Sequence, residues 1–208
     1  MQDLIIKRVE RMLKRRDPAH DFQHIMRVYK NAEIIGRSEG ADMEVLLPAV
    51  LLHDIVVYPK GSAKSSRSSD ESADFAKKIL ENYGYSLDQI SKICYCIRAH
   101  SYTKKVFPTS LEGRILQDAD RLDALGAIGI ARTFSAAGSE NRTFYNADDP
   151  FWRSGRDLDD KKWTVDHFQT KLLKLQEIMH TESAKKIARE RTRFIKLFIR
   201  QLQKEIYL

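Results

Sequence analysis

The chain has 208 residues, with 36 Lys and Arg against 29 Asp and Glu, a formal net charge of +7 and 42% hydrophobic residues. That apolar fraction supports a packed core without disulfides, and no run of about 18 apolar residues exists to span a bilayer. Met1-Gln2-Asp3-Leu4 lacks a charged region followed by a long apolar stretch, so no secretory signal is read and a cytoplasmic location is expected.

In chain order, Leu4, Ile5, Val9, Met12 and Leu13 form an apolar stripe at helical spacing that ends before Asp17-Pro18. A second helix is expected from Asp21 to Ser38, with Phe22, Ile25, Val28 or Tyr29, Ala32 and Ile35 on its apolar face and a stop near Gly40. Asp42 can cap a third helix leading into Val50-Leu51-Leu52-His53-Asp54, apolar on all sides and therefore central; Pro48 starts its buried part or kinks it. Gly61 to Ser69 reads as a flexible loop, and Ser69 as the cap of a helix ending near Gly84. Ser86-Leu87-Asp88-Gln89 is a capping box for a helix reaching His100. Cys94 and Cys96 on it read as core thiols.

Pro108-Thr109-Ser110 precedes a helix through Asp118 and Asp120, and Gly126 and Gly129 allow it or its successor to pack closely. Residues 138–161 form a long polar loop carrying Trp152, and two helices follow, Thr164 to Met179 and Thr181 to about Tyr207. Lys185, Lys186, Arg189, Arg191, Arg193, Lys196 and Arg200 alternate with apolar residues on the last helix and read as a solvated face. No aromatic platform accompanies them, so a nucleic-acid partner is not expected. The fold class is all-α, without repeats or a persuasive strand.

The chemistry concentrates in four positions: His24 on a helix, His53 and Asp54 at the end of a buried apolar run, and Asp120 on a third helix with Asp118 and Asp123 nearby. Burying an adjacent His and Asp at an apolar helix end is costly unless they are paired or bind a metal. Imidazole and carboxylate donors together suit Mn, Mg, Ni, Co, Fe or Zn.

Three segments carry a resemblance: His20-Asp21-Phe22-Gln23-His24-Ile25-Met26-Arg27-Val28, Leu51-Leu52-His53-Asp54-Ile55, and Leu116-Gln117-Asp118-Ala119-Asp120-Arg121-Leu122-Asp123-Ala124-Leu125-Gly126-Ala127. Their order and local contexts resemble the HD superfamily of metal-dependent phosphohydrolases, in its small stand-alone branch. The likeness implies an HD-type helical bundle over about residues 15–135, a helical extension over about 160–208, and a single domain of 208 residues. It implies one divalent metal held by His24, His53, Asp54 and Asp120. His20 is the rival for the first position and Asp118 for the last, where Asp118 can instead orient a histidine.

Some relatives carry an acid soon after His-Asp that helps activate water. Ile55-Val56-Val57-Tyr58 stands there in this chain, leaving Asp70, Glu71 or Asp118 to serve with Asp54. His100 is a candidate phosphate contact or added ligand. Lys60, Arg27 and Arg121 are candidate phosphate cations, followed by Arg132, Lys64 and Arg67. Trp152 and Trp163 read as anchors before base-stacking surfaces. The expected activity is hydrolysis of a phosphate ester or phosphoanhydride of a small phosphorylated substrate, a nucleotide first among them. The alternative is a non-catalytic, metal-containing sensor that binds a nucleotide or RNA. The long last helix offers a surface for a homodimer.

Overall fold

The computed structural model describes residues 2–13, 21–58, 62, 64–101 and 104–207. Among these the chain is all-α. Helices α1 (Gln2–Leu13), α2 (Phe22–Glu39), α3 (Met43–Leu52), α4 (Ser68–Asn82), α5 (Leu87–Ala99), α6 (Leu111–Asp123), α7 (Gly126–Ser139), α8 (Asp166–Thr170) and α9 (Glu182–Ile206) follow in order. The β-type pairing among the described residues is an isolated bridge between Thr143 and Trp163. None of the described helices is long and apolar enough to cross a membrane. The backbone forms two compact units, Met1–Asp120 and Arg121–Leu208.

The first unit is built around α3. Every residue from Val45 to Leu52 is buried, because α1, α2, α4 and α5 all pack on this helix. A helix enclosed on all sides needs no polar face, which explains its unbroken apolar sequence. It continues through Pro48, which has no N–H to offer the preceding turn. Asp42 caps it by accepting from the Glu44 N–H at 2.9 Å. The Ser86–Gln89 capping box opens α5 as expected, and Gly40, at φ +73°, closes α2 in the left-handed conformation that glycine adopts without cost.

The start of α4 departs from expectation. Ser69 does not cap it; α4 begins at Ser68, directly after a 3-10 turn over Ser65–Arg67, and Ser69 is buried in its first turn. The serine-rich stretch is therefore partly helical. Local bonds hold it, from Ser65 N to the Ser62 carbonyl at 3.0 Å and from Arg67 N to the Lys64 carbonyl at 2.9 Å.

In the second unit, α7 starts at Gly126 and packs on α9. A Cβ on Gly129 would stand 2.1 Å from the Ala124 carbonyl oxygen, so no other residue fits there. The single helix expected over 164–179 is two pieces: α8 ends at Thr170, and a 3-10 helix covers Leu172–Ile178. The Thr164 hydroxyl donates to the Thr143 carbonyl at 2.8 Å instead of capping a helix, and Lys171 leaves helical geometry at φ −132°.

The polar stretch before α8 is organised by two carboxylates. Asp166, fully buried, accepts from Trp152 Nε1 at 2.9 Å, from both terminal nitrogens of Arg156 at 2.7 Å and from the Asp159 N–H at 2.8 Å. Asp149 accepts from the Arg153 and Ser154 N–H groups and the Ser154 hydroxyl. Trp152 sits at φ +62°, a strained conformation for a bulky residue, held by its bond to Asp166.

Candidate metal centre

Four helix ends or turns of the first unit supply the site. Asp21 caps α2 by accepting from the His24 N–H at 2.8 Å, which fixes His24 in the first turn. His53 closes α3, and Asp54 lies in the turn that follows. His100 closes α5. Asp120 lies on α6.

Their polar atoms converge. His24 Nε2 lies 3.6 Å from Asp120 Oδ1 and 3.9 Å from Asp54 Oδ2. His53 Nε2 lies 3.7 Å from Asp54 Oδ2, and His100 Nε2 lies 3.3 Å from Asp54 Oδ1. Donor atoms of His24, His53 and Asp120 all fall within 4.8 Å of one another, as do those of His53, Asp54 and His100, so His53 belongs to both groups. Two ligands about 2.1 Å from one ion stand about 3.0–3.4 Å apart at octahedral or tetrahedral angles. The spacings observed run from 3.3 to 3.9 Å, somewhat wider than that.

The tautomers follow from the backbone. His53 Nδ1 is 2.7 Å from the Val50 carbonyl oxygen and His100 Nδ1 is 2.6 Å from that of Ile97. A carbonyl can only accept, so each Nδ1 carries the hydrogen and donates it. In neutral His53 this leaves the Nε2 lone pair facing the cluster, whereas His100 Nε2 carries a second hydrogen when it bonds to Asp54 Oδ1. His53 Nε2 is buried and makes no hydrogen bond, a costly state that a metal ion would relieve. The residues present therefore fit a divalent ion.

The electrostatics agree. Burial pushes the His53 pKa down against the pull of Asp54, so the ring is neutral and its lone pair available. Burial alone would raise Asp54, but His53 beside it and the hydrogen bond from His100 hold it well below the usual carboxylate range. For His100, burial acts downward, and the hydrogen bond to Asp54 together with the charges of Asp54 and Asp120 outweighs it, so its pKa is raised.

The other candidates are distributed as follows. Arg27 is half-buried on α2, three residues past His24 and so beside it on the helix surface. Asp118 is fully buried on α6; two residues from Asp120 is about 200° around the helix, and Asp118 belongs to neither donor group. Glu71 is likewise outside both groups; it accepts from the Tyr58 hydroxyl at 2.5 Å and pairs with Arg67 at 3.3 Å. Asp70 holds Lys104 at 2.6 Å.

Arg121, in the second unit, donates to the Ile178 carbonyl at 2.7 Å and to His180 Nε2 at 3.0 Å. Arg132 is tied to Asp123 at 2.8 Å, and Lys64 lies over the Tyr58 ring. Trp163 is flanked by Arg156 and Lys162, each 4.6 Å from its ring centre. Lys60 and His20 lie outside the described residues. Two buried polar residues that the motifs do not single out, Ser72 and Gln117, bond to backbone leading to or from the site.

The HD-domain family profile matches residues 21–125, which contain all five converging residues. The chain belongs to the HD-domain family. It is 32% identical over 202 residues to YpgQ of Bacillus subtilis, an uncharacterized protein, covering 95% of this chain and 90% of that one. The crystal structure of YpgQ in complex with ADP superposes with a TM-score of 0.76 at 33% identity, covering 100% of this chain and 98% of YpgQ. An HD-superfamily hydrolase from Bacillus thuringiensis superposes with a TM-score of 0.74 at 33% identity, covering 98% of this chain and 95% of that one.

Proposed function

We propose that this protein is a metal-dependent phosphohydrolase that cleaves a phosphate ester or phosphoanhydride of a nucleotide. The observation that carries this reading is the buried His53 Nε2, which makes no hydrogen bond and faces two carboxylates and two further imidazoles. His24, His53, Asp54 and Asp120 would hold a divalent ion, with Mn, Mg, Ni, Co, Fe and Zn all compatible with these donors. When bound, such an ion lowers the pKa of water and offsets negative charge on a phosphoryl group.

The residues of the chain supply the rest. Asp54 has two faces: Oδ2 looks to His24 and His53, and Oδ1 to His100. Its carboxylate is ionised at neutral pH, so Oδ1 is placed to accept a proton from the attacking water. His100 Nε2, beside it, serves as a contact for a phosphoryl oxygen. Arg27, one turn beyond His24, supplies a fixed positive charge. That YpgQ, alike over its whole length, has been crystallised with ADP supports a nucleotide as the substrate.

The test is phosphate and pyrophosphate release from a nucleotide panel by metal-stripped protein, with Mn, Mg, Co, Ni or Zn restored in turn. Metal-dependent turnover of one nucleotide class is expected. Silence across the panel with metal binding verified would move the reading to other phosphoesters or to a non-catalytic nucleotide- or RNA-binding sensor.

A further inference from the structure

We infer that Ser72 and Gln117 are positioning residues, two buried polar staples that fix the backbone on either side of the metal-ligand cluster. This rests on the metal-site reading above and adds to it what holds the donors in register.

Asp54 is not inside a helix. It lies in the turn after α3, and nothing in helical geometry fixes that turn. Ser72, fully buried on α4, grips it two residues on: its hydroxyl oxygen accepts from the Val56 N–H at 3.1 Å and donates to the Val56 carbonyl at 3.2 Å. One side chain thus satisfies both backbone groups of one loop residue, which sets the direction of the chain leaving Asp54.

His100 begins the loop between α5 and α6. Gln117 ties the end of α5 to the middle of that loop. Its Nε2 donates to the Ala99 carbonyl at 2.7 Å and to the Val106 carbonyl at 2.8 Å. Gln117 is 1% exposed and stands three residues before Asp120 on α6, hence on the same helix face. The helix that carries Asp120 therefore holds the loop that carries His100, and the distance between the two is set through one amide. These are outer contacts of the kind that orient ligands without touching an ion.

Other ties in this neighbourhood are weaker candidates. The Lys104–Asp70 pair is half exposed on its acidic side, and exposed ion pairs fix geometry poorly. Ser72 and Gln117 are buried, neutral and each doubly bonded, so they dominate.

The test compares Gln117→Met, which keeps length and loses both donors, and Ser72→Ala with unaltered protein, all metal-stripped. Mn2+ affinity is measured by calorimetry, and the visible absorption of the Co2+-loaded forms is recorded. The staples predict affinity weakened about tenfold or more in each variant, with shifted Co2+ bands although all donor side chains are present. A role confined to stability would lower the melting temperature and leave the bands of the folded protein in place. Variants that bind Mn2+ within twofold of unaltered protein, with superposable Co2+ spectra, would overturn the inference alone. Absence of Mn2+ and Co2+ binding by the unaltered protein would overturn the metal-site reading with it. If Gln117→Met does not fold, Ser72→Ala decides.

Discussion

Asp54 in the first unit and Asp166 in the second are both carboxylates taken largely out of water, and they are finished differently. Around Asp166 every nearby polar group is a donor: an indole N–H, a guanidinium and a backbone N–H. Around Asp54 the neighbours are three imidazoles, of which His100 donates to it and His53 aims a lone pair inward, and a second carboxylate completes the cluster. A completed network of donors and acceptors holds a loop in shape. A cluster with an excess of acceptors suits a cation, and the family match falls on that cluster.

The difference can be broken by substitution. Asp54→Ala is expected to abolish metal binding and turnover while leaving the metal-free protein folded, because the helices around α3 carry the core. Calorimetry, phosphate release and a thermal melt on the same sample check this. Turnover at the unaltered rate in metal-loaded Asp54→Ala would remove Asp54 from the site.

Asp166→Ala should do the reverse. It leaves the partly buried Arg156 guanidinium without its carboxylate, and such losses cost about 3–5 kcal/mol. The urea midpoint should fall accordingly, while Mn2+ affinity of the remaining folded protein stays close to its original value. Unchanged stability would show that solvent replaces the carboxylate at that position.

Acid sharpens the comparison further. Hydrogen bonds from Ser154 lead the influences that lower Asp149 from its ordinary 3.8 to about 2. A depressed folded-state pKa gives stability that is fully present above 3.8 and lost as pH falls toward 2. Asp160 and Asp166 are lowered as well: burial opposes this, and it is overcome by hydrogen bonds from His167 and Thr170 together for Asp160, and from Arg156, the Asp159 N–H and Trp152 together for Asp166. Urea midpoints between about pH 5 and pH 2 should therefore decline, and Asp149→Asn should flatten the decline. An identical acid profile in that variant would count against Asp149 as a contributor.

Much of the architecture was legible in the chain. Asp42 and the Ser86–Gln89 box announced helix starts, Gly40 announced a stop, and the all-apolar run into His53 announced a central helix, because these signals are local and compete with little. The motif residues pointed to the cluster, and the fold brings His24, His53, Asp54, Asp120 and His100 together. What was not legible has two sources. The left-handed Trp152 is held by Asp166, fourteen residues on, while the 3-10 turn before α4 and the break at Lys171 are marked by no capping or breaking residue. For Glu71 the sequence gives no sign that the Tyr58 hydroxyl donates to its carboxylate. Gln117 lies within the segment that carries Asp120, and its three-residue spacing from Asp120 is the signal in the sequence that points to it.

The two cysteines give the first unit a clock. Cys94 and Cys96 are both buried on α5, and burial raises both thiols, Cys96 to about 12. Alkylating reagents attack the thiolate, so at neutral pH these sulfurs are silent until α5 leaves the core. The rate at which they become modified reports how often the half of the molecule that bears His100 opens, with no label added, and an ion that knits His53, Asp54 and Asp120 together would slow it.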